Sequence, residues 1–134
     1  MIVIDTSVIV ANSLNEPEAS LFHSLVSREE ILVGWPTLLE ARTVLAGRKF
    51  SNASDIVKQL AELLNVTAIA FGERHYFAAE KAFAKFGKRH HPASSNMGDC
   101  FSYAVSAVAT APLLFKGRDF SQTDLKLHPS SSTA

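Results

Sequence analysis

The chain opens Met1-Ile2-Val3-Ile4-Asp5-Thr6-Ser7, and the β-branched run from Ile2 to Ile4 carries no polar alternation. A strand exposed on one side alternates apolar and polar positions, whereas an unbroken short run is what a strand buried on both faces of a parallel sheet requires. Asp5 then lies at the carboxyl end of that strand. Thr6 or Ser7 can cap a short helix through Asn12. Ile31-Leu32-Val33, Thr67-Ala68-Ile69-Ala70 and Leu113-Leu114-Phe115 read as three further strands.

Helical patterns fill the gaps between them. Asn15-Glu16-Pro17-Glu18 restarts a helix that runs to about Ser27, with proline in its first turn and acids near its positive end. Gly34-Trp35-Pro36-Thr37 leads into a helix with Leu38, Leu39, Ala41, Val44 and Leu45 among its apolar positions, ended by Gly47. Ser51 and Asn52 cap an amphipathic helix through Leu64. Glu73 to Phe86 forms a helix closed by Gly87. Asn96 caps the last helix, with Phe101, Ala104, Val105 and Val108 on its buried face and Asp99, Ser102, Tyr103 and Ser106 on another. Strands separated by helices imply an α/β fold with right-handed crossovers and a central parallel sheet of four or five strands flanked by helices. At 134 residues and 47% apolar composition, one domain over residues 1–128 is expected, followed by a flexible serine-rich tail at 129–134.

Thirteen basic and thirteen acidic residues give no net charge, which excludes a protein that coats nucleic acid by bulk attraction; such contacts must be local. The single cysteine, Cys100, has no internal disulfide partner and fits a reducing, cytoplasmic setting. Four residues before the charged Asp5 are too few for a signal-peptide core, and no apolar run reaches membrane-spanning length, so no membrane association is expected.

Four acids stand out by position. Asp5 ends the first strand, Glu40 lies one turn into the helix after the second, Asp99 opens the last helix, and Asp119 follows the last strand. Ligands of open α/β sheets bind beyond the carboxyl ends of the strands, where these residues converge. Carboxylates about 5 Å apart at an effective dielectric near 20 repel by roughly 3 kcal/mol per pair, so they must be partly protonated or neutralised by a cation. Oxygen-only donors suit Mg²⁺ or Mn²⁺. Taken singly, each acid has a structural reading: a cap for Asp5, a dipole partner for Asp99, a surface neighbour of Arg42 for Glu40 and of Arg118 for Asp119. Convergence of all four favours the cation site. His90 and His91 have no suitably spaced partner for zinc, and Cys100 reads as a small buried residue.

Met1 to Ser7, Leu39-Glu40, Asn96-Met97-Gly98-Asp99-Cys100-Phe101-Ser102-Tyr103-Ala104 and Pro112-Leu113-Leu114-Phe115-Lys116-Gly117-Arg118-Asp119-Phe120 resemble the four signature blocks of PIN-domain ribonucleases, most closely the VapC-type toxins of toxin–antitoxin operons. The resemblance spans essentially the whole chain and implies a PIN-like three-layer sandwich. It makes Asp5 and Asp99 direct Mg²⁺ ligands, with Glu40 and Asp119 completing the catalytic acids and Thr6 or Ser7 orienting Asp5. Family members often carry an acid or Asn where this chain has Arg118, so Asp119 carries the fourth carboxylate alone, with Asp124 a less favoured substitute.

The implied function is Mg²⁺-dependent cleavage of RNA, such as tRNA or rRNA, in the cytoplasm by a homodimeric toxin inhibited by a cognate VapB-like antitoxin. Lys116 and Arg118 flank Asp119 as phosphate contacts. Lys81, Lys85, Lys88 and Arg89 offer a second basic stripe along RNA, against the plainer reading of a solvated helix end. Two other readings compete. One is a degenerate PIN domain that binds RNA or a partner without catalysis, which a broken acid set would favour. The other is a phosphoaspartyl phosphatase, which usually carries a second Asp two residues after the nucleophile, where this chain has Ser7.

Overall fold

The computed structural model describes residues 1–87, 96–121 and 123–133; Lys88, Arg89, His90 and His91 lie outside the described residues. Four parallel strands, β1 (Ile2–Ile4), β2 (Ile31–Gly34), β3 (Val66–Ile69) and β4 (Leu113–Leu114), form one sheet in the order β3-β2-β1-β4. Val3 of β1 stands opposite Leu32 on one side and Leu113 on the other. The chain thus winds outward through β2 and β3, then returns to pair β4 against the free edge of β1. The point of reversal lies between β1 and β4, where open α/β sheets form their ligand crevice.

Among the described residues, six helices connect and cover the strands: α1 (Thr6–Ser13), α2 (Ala19–Arg28), α3 (Trp35–Gly47), α4 (Ala53–Ala61), α5 (Glu73–Phe86) and α6 (Met97–Ala109). Successive strand residues face opposite sides of the sheet, which explains why β1 reads as a continuous apolar run. Ile2, Ile4, Ile31, Val33 and Leu114 pack with Val8 of α1, Phe22 of α2, Leu38 of α3 and Val57 of α4. Val3, Leu32 and Leu113 pack on the other side with Val105 of α6, Phe115 and Phe120. α5 is joined to α6 through Ala82, Phe86 and Cys100. The result is the expected sandwich of a sheet between helical layers, and among the described residues no helix is long and apolar enough to cross a membrane.

Local details differ from the sequence reading. α2 begins at Ala19 rather than at Asn15, because Asn15 takes a positive φ of 53° and residues 15–18 form a turn in which the Glu16 carbonyl accepts from Ala19 N–H. Gly47 lies within α3; the helix is capped at Arg48, and the left-handed residue is Lys49 at φ 68°. α4 stops at Ala61, leaving Leu63 and Leu64 exposed beyond it. In α6 the polar residues Asp99, Ser102 and Ser106 are buried together with Ala104 and Val105, so its polar face turns inward rather than to solvent.

The flexible tail expected at 129–134 is not what the structure has through Ser132. His128 N–H donates to Leu113 O at 2.8 Å, Ser132 N–H to Phe115 O at 3.0 Å, and Gly117 N–H to Ser132 O at 2.8 Å. Isolated parallel bridges join Leu113 to Leu127 and Lys116 to Ser132, a rudiment of a fifth strand. β4 would otherwise be an edge strand with unpaired backbone groups. Serines, poor in apolar area, still satisfy those groups: the Ser131 hydroxyl accepts from Phe115 N–H at 3.2 Å and donates to Leu113 O at 3.2 Å. Ending the chain at Leu127 removes the three backbone bonds and should destabilise the fold by about 2–4 kcal/mol. Urea unfolding of the shortened chain measures this; an unchanged midpoint would mean the segment contributes nothing.

Candidate active site

Asp5 leaves β1 as the N-cap of α1, and the geometry is fixed locally. Its Oδ2 accepts from the backbone N–H of Ser7 at 3.0 Å and from the Ser7 hydroxyl at 2.7 Å. The Ser7 hydroxyl accepts in turn from Lys116 N–H at 2.9 Å, tying the loop after β4 to the end of β1. Across the crevice, the Ser102 hydroxyl of α6 donates to Asp5 Oδ1 at 2.5 Å. Asp5 is 6% exposed, so its carboxylate is held by protein donors rather than by bulk water.

Glu40 comes from α3. Its Oε1 accepts a short hydrogen bond from the Thr6 hydroxyl, and its other oxygen lies against the first turn of α6. A Cβ built on Gly98 would sit 1.8 Å from Glu40 Oε2 and 2.5 Å from its Cδ. Glycine is required at 98 for this close approach, not for an unusual backbone angle. Burial raises the Glu40 pKa; the Thr6 hydroxyl offsets part of that, and Asp5 adds to the rise.

Asp99 sits at the third position of α6 in a reciprocal capping box with Asn96: each backbone N–H donates to the other's side chain at 2.9 Å. It is 7% exposed. Burial first, and then the charges of Asp119, Asp5 and Glu40, push its pKa up to about 7, with the Asn96 backbone N–H pulling the other way. Asp119 is more exposed, and its pKa is raised by burial and by Asp5. The four acids therefore share one electrostatic field. Asp124 is turned elsewhere: it accepts from the Tyr103 hydroxyl at 2.5 Å and pairs with Lys85 at 3.7 Å.

These donors are oxygen-only and mutually repelling, the chemistry that suits a hard divalent cation. Among the described residues, no three His, Cys, Asp or Glu side chains stand close enough to enclose an ion unaided. The donor set suits a hard divalent cation whose coordination is completed by water.

The basic candidates separate. The Lys116 ammonium lies 3.3 Å from Glu16 and 3.1 Å from Glu18, and Glu18 also accepts from the Ser132 hydroxyl at 2.9 Å. Hydrogen bonding to Glu18 holds the Lys116 pKa above its ordinary value, and Glu18 is correspondingly lowered. Lys116, expected from its position as a phosphate contact, is held here between two acids. Lys85 shares its charge with Asp124 and with the Phe86 ring, 5.1 Å away. Arg118 is exposed beside Asp119. The Cys100 thiol is pushed up to about 11, by burial first and then by Asp99, in keeping with a structural residue. Sequence reasoning missed the contacts of Ser102 and Gly98. The helical spacing of Ser102 from Asp99 signalled a shared face, but not that the face points inward.

The proton balance has a sign. Asp99 has a folded pKa of about 7 against an ordinary 3.8, so its contribution to stability is complete below about 3.8 and is lost as pH rises through about 7. Glu40 and Asp119 shift in the same direction. Without divalent ions, the melting temperature should therefore fall between about pH 4 and pH 7 through these groups and level off above that. Asp99→Asn keeps an acceptor for Asn96 N–H without the charge and should melt higher than the unaltered chain at pH 8. Thermal scans across that range and up to pH 8 decide it, and a variant that melts lower at pH 8 would contradict the assigned strain.

Residues 2–126 match the family model described as PIN domain. The chain is 35% identical over 126 residues to Ribonuclease VapC36 of Mycobacterium tuberculosis, covering 92% of this chain and 91% of the relative. It is 36% identical over 124 residues to Ribonuclease VapC30 of the same species, covering 92% and 95%. Among solved structures, VapC20 of M. tuberculosis, a sarcin-ricin loop cleaving toxin, superposes with a TM-score of 0.76 at 16% identity over 93% of this chain and 96% of that one. VapBC2 from Rickettsia felis, bound to a DNA fragment from its promoter, gives 0.72 at 14% identity over 96% and 98%. The fold, the acids' convergence and these likenesses agree: the chain belongs to the PIN-domain family and, within it, to the VapC ribonucleases.

Proposed function

We propose that the protein is a metal-dependent endoribonuclease toxin whose catalytic acids are Asp5, Glu40, Asp99 and Asp119. The observation that carries this reading is Asp99: a carboxylate at a helix N-terminus whose proton affinity is raised first by its burial and then by three other acids, each from a different part of the chain. A cation that displaces that proton removes the repulsion, so affinity for it should increase with pH through about 7.

Asp5 and Asp99 are the direct ligands in this reading. Glu40, steadied by Thr6, and Asp119 supply further negative charge and acceptors for coordinated water. When bound, Mg²⁺, or Mn²⁺ in its place, supplies the Lewis acidity that activates water and offsets charge on the scissile phosphate. Ser7 fixes Asp5 so that no reorganisation of the ligand is needed when substrate arrives. Arg118, free of ion pairs among the described residues, is the candidate for the RNA phosphate beside Asp119.

The toxin–antitoxin neighbours support a cognate VapB-like antitoxin as partner, and the reading extends to a cytoplasmic homodimer acting on tRNA or rRNA. Exposed Trp35, Leu39, Tyr76, Phe77 and Met97 supply apolar surface for such assembly.

Purified protein incubated with total tRNA and rRNA should cleave only with Mg²⁺ or Mn²⁺ added. Asp5→Ala and Asp99→Ala should each lose roughly 100-fold or more in rate, whereas equal cleavage by variants and unaltered protein would remove the reading. RNA binding without turnover would favour a non-catalytic module. Asp119→Ala should lose activity and Asp124→Ala retain it; the reverse would transfer the fourth acid to Asp124. Gly98→Ala is more selective still. Its methyl group displaces the movable Glu40 carboxylate while alanine improves helix propensity, so cleavage should fall about 10–100-fold with little change in melting temperature.

A further inference from the structure

Ser102 belongs to none of the acid positions, yet its side chain joins α6 directly to the Asp5 carboxylate. Its side chain is 1% exposed, one turn after Asp99 on α6, and its hydroxyl reaches Asp5 Oδ1 at 2.5 Å across 97 residues of sequence. A serine inside a helix commonly satisfies its hydroxyl on the carbonyl four residues back. Ser13 does so on Ile9 O at 2.9 Å, and Thr43 does the same on Leu39 O at 2.9 Å. Ser102 instead donates across the crevice to a carboxylate.

A carboxylate offers about four lone-pair sites. On Asp5, Ser7 fills both sites of Oδ2, and Ser102 fills one site of Oδ1. We infer that Ser102 is a positioning residue for the cation site: together with Ser7 it leaves a single lone pair of Asp5 Oδ1 open, so that Asp5 meets a divalent ion through one oxygen. This rests on the metal-dependent reading above and deepens it. The same hydrogen bond ties α6, which carries Asp99, to the end of β1, which carries Asp5, so it sets the relation between the two acids. One-oxygen binding favours a small ion of strict octahedral geometry over Ca²⁺, which accepts carboxylates through both oxygens.

The test is Mn²⁺ binding to the full metal-free chain, followed by electron paramagnetic resonance of the free ion, with Ca²⁺ as competitor. Ser102→Ala should weaken Mn²⁺ binding about 10-fold and narrow the preference for Mn²⁺ over Ca²⁺. Ser102→Cys, nearly the same shape but a weak donor, should follow it, and Ser102→Thr should restore both quantities. Circular dichroism separates these effects from misfolding; if Ser102→Ala does not fold, Ser102→Cys carries the comparison. Unchanged Mn²⁺ affinity in the donor-poor variants, or equal losses for Mn²⁺ and Ca²⁺, would overturn the role of Ser102 while leaving the metal-dependent reading intact. No Mn²⁺ binding by the unaltered chain would overturn both.

Discussion

The carboxylate of Asp5 is the point on which the site depends, because it is buried at the one place where the sheet reverses direction. Ser7 holds it from α1, Ser102 holds it from α6, and through Ser7 it is joined to the backbone at Lys116 after β4. A charge removed from water costs several kcal/mol unless donors replace the lost hydration. The three donors to Asp5 supply that replacement, and in doing so they fix the relative positions of the end of β1, the start of α6 and the loop that leads to Asp119.

The remaining acids are arranged around this anchor at a cost that the fold itself bears. Asp99 is satisfied by Asn96 on one oxygen, but it still shares a field with three carboxylates. Glu40 approaches so closely that the first turn of α6 has to carry a glycine. Strain of this kind, concentrated where ligands bind, is the usual trade between stability and activity. The neighbouring Lys116–Glu16–Glu18 contact, extended by Ser132, has a different part to play: it ties the loop after β4 to the segment between α1 and α2.

Much of this was legible in order of residues. Short, largely apolar runs identified the strands, β1 most clearly by its unalternating β-branched residues, and the positions of Asp5, Glu40, Asp99 and Asp119 relative to strand ends singled them out. Asn96 was readable as the α6 cap because its preference is local. The reading failed where a segment answers to distant partners. Residues 128–132 lack the apolar area that marks a strand, yet their backbone and hydroxyl groups complete β4. Lys116 looked like a phosphate ligand because it precedes Asp119, but Glu16 and Glu18, about a hundred positions earlier, engage its ammonium.

Sequence alone determined the α/β class, the family resemblance and which acids lie at the carboxyl ends of strands, since these follow from local periodicity and short-range spacing. Tertiary structure decided which polar groups meet. It turned the Asp99–Ser102 face of α6 inward, paired Asp124 with Tyr103 and Lys85, and set the Lys116 ammonium between Glu16 and Glu18. Hydrogen bonds and charge interactions depend on distances of a few ångströms between residues remote in the chain, and only the folded packing sets those distances.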